Sequence, residues 1–392
     1  MEIKDYIDSN GYLEITKTAI NKYGIETIIQ SIKNAKINVP TKFVLYGDIR
    51  MILFKNLMEY RPEISREPVD YPNIQWLTNG YSTNKYLGKN LSFISSDLDY
   101  EKIDILSDFF TENSRLSAYR KDYKIAPLDY WRDYIDKLVN TVNDKYGEIN
   151  SKNLREALWK TGSEAASFKL TLVSSILWQF DAKRILDISA GWGDRLLGAI
   201  GHYAERYLGF DPNPVLKQGH DEIIDTFTKD RTTSNEINKY EIRYQPFETA
   251  DIGAELFDLV YSSPPYYDLE VYSFIDGQSI ITYPEFEDWL VYFLFVSLFK
   301  AWNHLKNGGN LVLHITDFHK IHYVESIVLF VLGWCPNSSF DGVIGSIGHS
   351  GKPRPNWVFH KHSRSNSKEV SVAKQNMDKF YPKLSDRIKK MV

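Results

Sequence analysis

The stretch Ile185-Leu186-Asp187-Ile188-Ser189-Ala190-Gly191-Trp192-Gly193-Asp194 decides how this chain is read. Its apolar residues and single carboxylate make a short buried strand, its two glycines permit a sharp turn, and a helix starts at Asp194. A helix entered this way points its positive end at whatever lies in the turn. The pocket is of the nucleotide type. It is not the Gly-x-Gly-x-x-Gly fingerprint, because Leu196 holds the third glycine position, and no Gly-Lys-Ser/Thr follows to make a phosphate loop.

Outward from that stretch, strand and helix alternate. Residues 151–180 read as helix with a break at Thr161-Gly162, carrying Phe168, Leu170, Leu172, Val173, Ile176, Leu177 and Trp178 on a broad apolar face. Strands follow at 207–210, 241–244, 256–262 and 310–315, with helices between them, and 343–347 and 357–360 suit a late antiparallel pair. Thr282-Tyr283-Pro284-Glu285 has capping-box spacing and Gly308-Gly309 supplies a stop, framing one very apolar helix. Such repetition implies an α/β fold with a mainly parallel sheet buried by helices.

Two acids and one turn add chemistry. Asp211 ends the second strand about twenty residues after the glycine turn, where a carboxylate can accept both hydroxyls of a ribose; it can equally cap Pro212-Asn213-Pro214. Glu248, in Gln245-Pro246-Phe247-Glu248, is either a reader of an adenine edge or a surface acid. After the fourth strand comes Ser262-Ser263-Pro264-Pro265-Tyr266-Tyr267, where two prolines end the strand and fix a rigid turn that aims side chains.

The glycine turn, the acid after strand two and Ser263-Pro264-Pro265-Tyr266 after strand four, in that order, resemble the class I S-adenosylmethionine-dependent DNA amino-methyltransferases over roughly residues 160–360. The resemblance implies a Rossmann-like methyltransferase fold, with Asp187, Ser189, Ala190, Gly191, Gly193, Asp211 and Glu248 holding S-adenosylmethionine. Ser263, Pro264, Pro265 and Tyr266 would hold the acceptor, an exocyclic amine of cytosine (N4) or adenine (N6). An exocyclic amine is a poor nucleophile because its lone pair is delocalised into the ring. The Ser263 hydroxyl and the Pro264 carbonyl can accept its protons, while Tyr266 can stack on the base. A base inside a duplex cannot enter such a pocket, so it must be flipped out or arrive single-stranded. Cytosine C5 chemistry needs a cysteine nucleophile that the motif lacks, and Cys335 reads as buried packing. Amide methylation of protein glutamine uses a related quartet, usually with Asn first, so Ser263 weakens that reading. RNA is the nearest other substrate, and a catalytically silent fold that binds DNA or a partner is the rival from another class.

Composition sets the frame. The chain has 392 residues, 43% of them hydrophobic, enough for a large core and two domains. We divide it into an N-terminal accessory or target-recognition domain, mostly helical or mixed, at 1–150, a methyltransferase domain at 151–362 and a basic tail at 363–392, expected to be partly disordered. With a net charge of -4 the chain is not a basic nucleic-acid coat, although residues 352–392 carry 11 Lys/Arg against 3 Asp/Glu and residues 97–112 are acidic. One cysteine excludes an internal disulfide framework, no metal ligand set is evident, and no stretch approaches the roughly 20 apolar residues of a membrane span, so an intracellular protein without a membrane partner is expected.

Cations alternating with tyrosines at 115–124 read either as a solvated loop whose tyrosines cover a neighbouring core or as a nucleic-acid surface, with Arg115, Arg120 and Lys121 as the contacts. Tyr267, with Asp268 and Glu270 after it, is placed to close over a flipped base, the two acids being otherwise solvated. Lys352 and Arg354 sit in Lys352-Pro353-Arg354-Pro355, similar to an Arg-Pro segment of phage-type family members, where they would meet phosphate. No large insertion follows Tyr266, which leaves recognition to residues 1–150, the tail or a second protein subunit.

Overall fold

A computed structural model describes residues 2–8, 12–62, 64–65, 91–95, 98–122, 125–161, 164–229, 239–317, 323–347, 353–364 and 367–391. Lys352 lies outside the described residues. In chain order the strands are β1 (Glu14–Ile15), β2 (Ile64–Ser65), β3 (Leu91–Ser95), β4 (Tyr119–Arg120), β5 (Ile149–Asn150), β6 (Arg184–Asp187), β7 (Arg206–Phe210), β8 (Tyr240–Arg243), β9 (Phe257–Ser262), β10 (Glu270–Val271), β11 (Leu305–His314), β12 (Ser338–Ile347) and β13 (Pro353–Lys361). Nine of them form one sheet in the order β2-β3-β12-β13-β11-β9-β6-β7-β8.

From β8 to β11 this sheet is parallel, and β13 enters antiparallel between β11 and β12. It is the expected α/β arrangement: a Rossmann-like, mainly parallel sheet with a late antiparallel pair. Period-2 alternation divides its residues between two cores. Leu186, Leu208, Val260, Leu311, Leu313, Trp357 and Phe359 face one, while Ile185, Tyr207, Leu259, Tyr261, Val312 and Val358 face the other. The chain runs outward from β6 through β7 to β8 on one side, then returns to β9 and β11 on the other. A crevice therefore opens at the C-terminal strand ends between β6 and β9.

Several expectations need correction. The span 43–60, apolar enough in sequence for a strand followed by a helix, is two helices, Lys42–Tyr46 and Arg50–Glu59, with no strand. The capping box does not form: the Thr282 amide already bonds Gln278 O at 2.9 Å, closing the short helix Ser279–Thr282. The long helix starts at Phe286 and passes through a π-helical segment, Trp289–Phe295, before ending at Asn303. Gly308-Gly309 lies inside β11, where pairing with β9 slips between Leu305 and Asn310. Gly308 has φ 85°, and a Cβ on Gly309 would lie 2.8 Å from Asp258 O, so the bulge needs both glycines. Cys335 is buried, as expected, and burial pushes its thiol up.

The C-terminal segment is not a loose tail. Helices Ser367–Phe380 and Pro382–Met391 dock Ala373, Met377, Leu384 and Ile388 into the main core. Its basic residues occupy the outer faces of amphipathic helices, a pattern that charge counting cannot tell from disorder. The boundary at 150 does not divide the cores either. Leu53, Phe54, Leu57, Ile103 and Leu106 share a core with the parallel sheet, β3 extends that sheet beside β12, and only a separate bundle spanning Ile3 to Leu158 belongs to the N-terminal part. No helix among the described residues is long and apolar enough to cross a membrane.

Candidate functional site

A cavity of about 570 Å³ fills the crevice. Its walls come from the ends of the sheet strands: Ser189, Ala190 and Gly191 after β6, Asp211 and Asn213 after β7, Pro246 and Glu248 after β8, Ser263 to Tyr266 after β9, and His314 on β11. Arg354, at the start of antiparallel β13, also lines it. The size lies within the range of small-molecule pockets.

The glycine turn is held from beneath. Asp187 is fully buried and does not line the cavity; Oδ1 accepts from Ser262 Oγ at 2.8 Å and Ser189 N at 3.2 Å, while Oδ2 accepts from Arg195 Nε at 2.6 Å and Tyr207 OH at 2.8 Å. Its charge is spent on holding the turn. Arg195 also donates to Ser189 O; burial opposes its charge, but Asp187 keeps its pKa raised. Gly191 has φ 59°, and a Cβ there would enter open space, with nothing nearer than Ser189 O at 4.0 Å. Gly193, at φ 95°, is a packing glycine that does not line the cavity: an added Cβ would meet Ile223 Cδ1 at 2.8 Å. Beneath the turn, buried His220 joins Gly191 O and Tyr244 OH, each at 3.0 Å, and burial lowers its pKa to about 4.

Asp211 accepts from Gly191 N and Asn213 N, both at 2.9 Å, and burial raises its pKa to about 6. It braces the turn and the backbone at Asn213, and it lines the cavity. Glu248 lines the cavity too, its pKa raised by burial. Between these acids, Pro212, Leu216, Pro246, Phe247 and Phe293 make an apolar slot. Phe293 belongs to the π-helical segment, a feature frequent at functional sites.

On the opposite side stands the quartet. Tyr266 OH donates to His314 O at 3.4 Å and hydrogen-bonds Ser263, and burial pushes its pKa up to about 12. Phe168, whose ring packs edge-on to His314 at 4.9 Å and covers the Arg195 guanidinium at 5.1 Å, closes the floor. Asp194 accepts from Ser107 Oγ at 2.6 Å and Phe168 N at 3.3 Å, and burial raises its pKa to about 7. Sequence reasoning missed His314, Phe168, Arg195, Phe293 and Asp194. Asp194 and Arg195 were visible only as the end of the glycine-turn stretch and Phe168 only as part of an apolar run, while His314 and Phe293 belong to no motif.

The proposed nucleic-acid contacts fare unequally. Arg115 is not a surface cation: it is 3% exposed, with Nε 2.8 Å from Asp108 and Nη1 2.8 Å from Glu164. Asp108, Glu112 and Arg115 recur at i, i+4 and i+7 on one inward helix face, where Arg155 pairs with Glu112 at 2.8 Å. Arg120 does line the cavity, as does Glu270, its partner where β4 pairs with β10. Lys121 is held by Asp268, and Glu270 accepts from Ala166 N at 3.0 Å, so neither acid is simply solvated. Tyr267, at φ 52°, does not line the cavity: its hydroxyl donates to Pro284 O at 2.6 Å and its ring packs on Phe286 and Trp289.

No protein-family model matches the chain, and no curated protein does. Among solved structures it is similar to TrmN from Thermus thermophilus, at 14% identity over 50% of this chain and 49% of that one, with a TM-score of 0.35. It therefore spans about half the length of that protein. An rRNA methylase from Streptococcus thermophilus matches at 14% identity over 51% of this chain and 99% of its own, TM-score 0.34. An O-methyltransferase from a Brevibacillus brevis polyketide synthase multienzyme, in complex with S-adenosyl-L-homocysteine, matches at 10% identity over 54% and 78%, TM-score 0.33. These likenesses concern the arrangement of the sheet and carry nothing about substrate.

Proposed function

We propose that this protein is a methyltransferase that uses S-adenosylmethionine to methylate an exocyclic amine of a DNA base, cytosine N4 or adenine N6. The observation that carries the reading is one cavity walled on one side by the glycine turn and Asp211 and on the other by Ser263-Pro264-Pro265-Tyr266. The cofactor side fits an adenosine: an open cradle at Gly191, two acids at Asp211 and Glu248, and an apolar slot between them. In this reading Asp211 accepts the ribose hydroxyls, Glu248 reads the adenine edge, and Ser189, Ala190 and Gly191 line the rest. The bound cofactor supplies an electrophilic methyl group.

The chain's own residues then position the amine. Ser263 Oγ and Pro264 O accept its protons, and the two prolines hold that turn rigid, so the work is orientation. Tyr266 flanks the base with its hydroxyl tied to His314 O. Arg120 and Arg354 are the cations at the cavity that would meet phosphate, and residues 1–150, the C-terminal segment or a second subunit would supply any sequence recognition.

Labelled S-adenosylmethionine offered with DNA, RNA and protein tests the reading. DNA should take the label, and Tyr266→Ala should lose on the order of 10²-fold in rate, the scale for a misplaced acceptor, while still binding cofactor. Label only in RNA or protein would reassign the substrate, and failure of the wild type to bind the cofactor would sink the proposal. Mass analysis of the product nucleosides separates cytosine from adenine.

A further inference from the structure

One cavity group stands outside the quartet and the glycine turn. His314 ends β11 and is 6% exposed, yet it lines the cavity. Leu313 pairs with Ser262 in the parallel register of β11 and β9, so His314 and Ser263 are the next residues on adjacent strand ends, about 4.8 Å apart in the sheet direction. On its other side His314 pairs with Asn356 of β13, which in turn pairs with Ile344 of β12.

That row fixes where the imidazole proton sits. Ile344 O can only accept, so Asn356 turns its amide nitrogen to it, at 3.0 Å. Asn356 Oδ1 then faces His314 Nδ1 at 3.0 Å and can only accept, which places the proton on Nδ1. Nε2 keeps its lone pair, and no described residue donates to it. Arg195 and Arg354 are the charged groups acting on the ring, both disfavouring a second proton, and Phe168 covers its edge. Burial is the main cause of the lowered pKa, about 3, and the two arginines only add to it.

We infer that His314 Nε2 binds the acceptor, taking one N–H of the amine while Ser263 and Pro264 take the other. The inference rests on the methyl-transfer reading and sharpens it. A paired set of acceptors suits a group with two N–H donors, as in cytosine or adenine, and rejects a keto group such as that of thymine or uracil, whose lone pairs would face lone pairs.

Nitrogen-15 NMR of the histidine rings tests the premise without any reaction. His314 should remain the neutral Nδ1–H tautomer from about pH 8 to about pH 5; an Nε2–H tautomer, or a charged ring at neutral pH, overturns the inference. In the transfer assay His314→Phe should lose on the order of 10²-fold in kcat/KM, the scale for one oriented hydrogen bond at a reacting group, with cofactor affinity unchanged. Wild-type transfer by that variant overturns it. Asn356→Asp keeps the ring but sets a carboxylate against Ile344 O, so circular dichroism must first show it folded as the wild type, as it must for His314→Phe. Its carboxylate raises the imidazole pKa, so transfer should fall as pH drops through the raised value and recover above it; a profile identical to wild type overturns the inference. If the wild type transfers and His314→Phe does too, only this inference falls, whereas a wild type that methylates nothing removes the underlying reading.

Discussion

The two sides of the cavity are built by opposite electrostatic strategies. Under the glycine turn, every charge is answered within the chain: both oxygens of Asp187 are occupied, Arg195 is paired, and Asp211 braces Gly191 and Asn213. On the quartet's side a polar atom is left over: His314 Nε2 lines the cavity and takes no donor among the described residues. A side that must hold a fixed backbone shape saturates its groups, because an unpaired buried charge is costly. The other keeps an acceptor open for a partner that arrives from outside.

The comparison breaks most visibly at Asp187. Asp187→Ala leaves Arg195 buried without its counter-charge and should cost about 3–5 kcal/mol in denaturant unfolding. A loss of cofactor affinity with unchanged stability would instead mean that Asp187 serves the ligand directly. Asp211 tests the same side more gently. Asp211→Asn should weaken S-adenosylmethionine binding on the order of 10-fold, as expected when a hydrogen bond to a charged group is lost. Because its folded pKa is raised to about 6, the wild type should bind well above that pH and lose affinity as pH falls through it, while the Asn variant should show a flat profile in calorimetry. Equal profiles would place Asp211 among the purely structural acids.

Asp194 gives the clearest sign. Its carboxyl is raised to about 7 by burial, so the folded state holds a proton that the unfolded chain releases near the ordinary carboxylate value. The stabilisation from that proton is fully present below about pH 4 and disappears as pH rises through about 7. Asp194→Asn should therefore melt above the wild type at pH 8, with the advantage shrinking towards pH 4. A constant difference across that range would mean the carboxyl keeps an ordinary pKa.

Motifs with a local physical signature were legible. The glycine turn, the acid after the second strand and the two-proline turn each depend on a few adjacent residues, and all three lie where the chain enters the cavity. Signals that depend on a partner were not. Arg115 looks like Arg120 in the sequence, yet one is locked in a buried ion network and the other lines the cavity. Thr282 and Glu285 have cap spacing, but Thr282's amide already belongs to the preceding turn. The basic C-terminal segment resembles a solvated tail until its apolar residues are seen against the main core.

The sequence by itself determined the α/β class, the parallel sheet and the order of the site motifs, because period-2 and helical spacing and turn chemistry act over a few residues. The tertiary structure decided which charges are spent, that the N-terminal half shares a core and a sheet with the rest, and that His314 stands beside Ser263. Those depend on strand register and burial, which bring together residues 51 positions apart, and no local pattern encodes such a pairing.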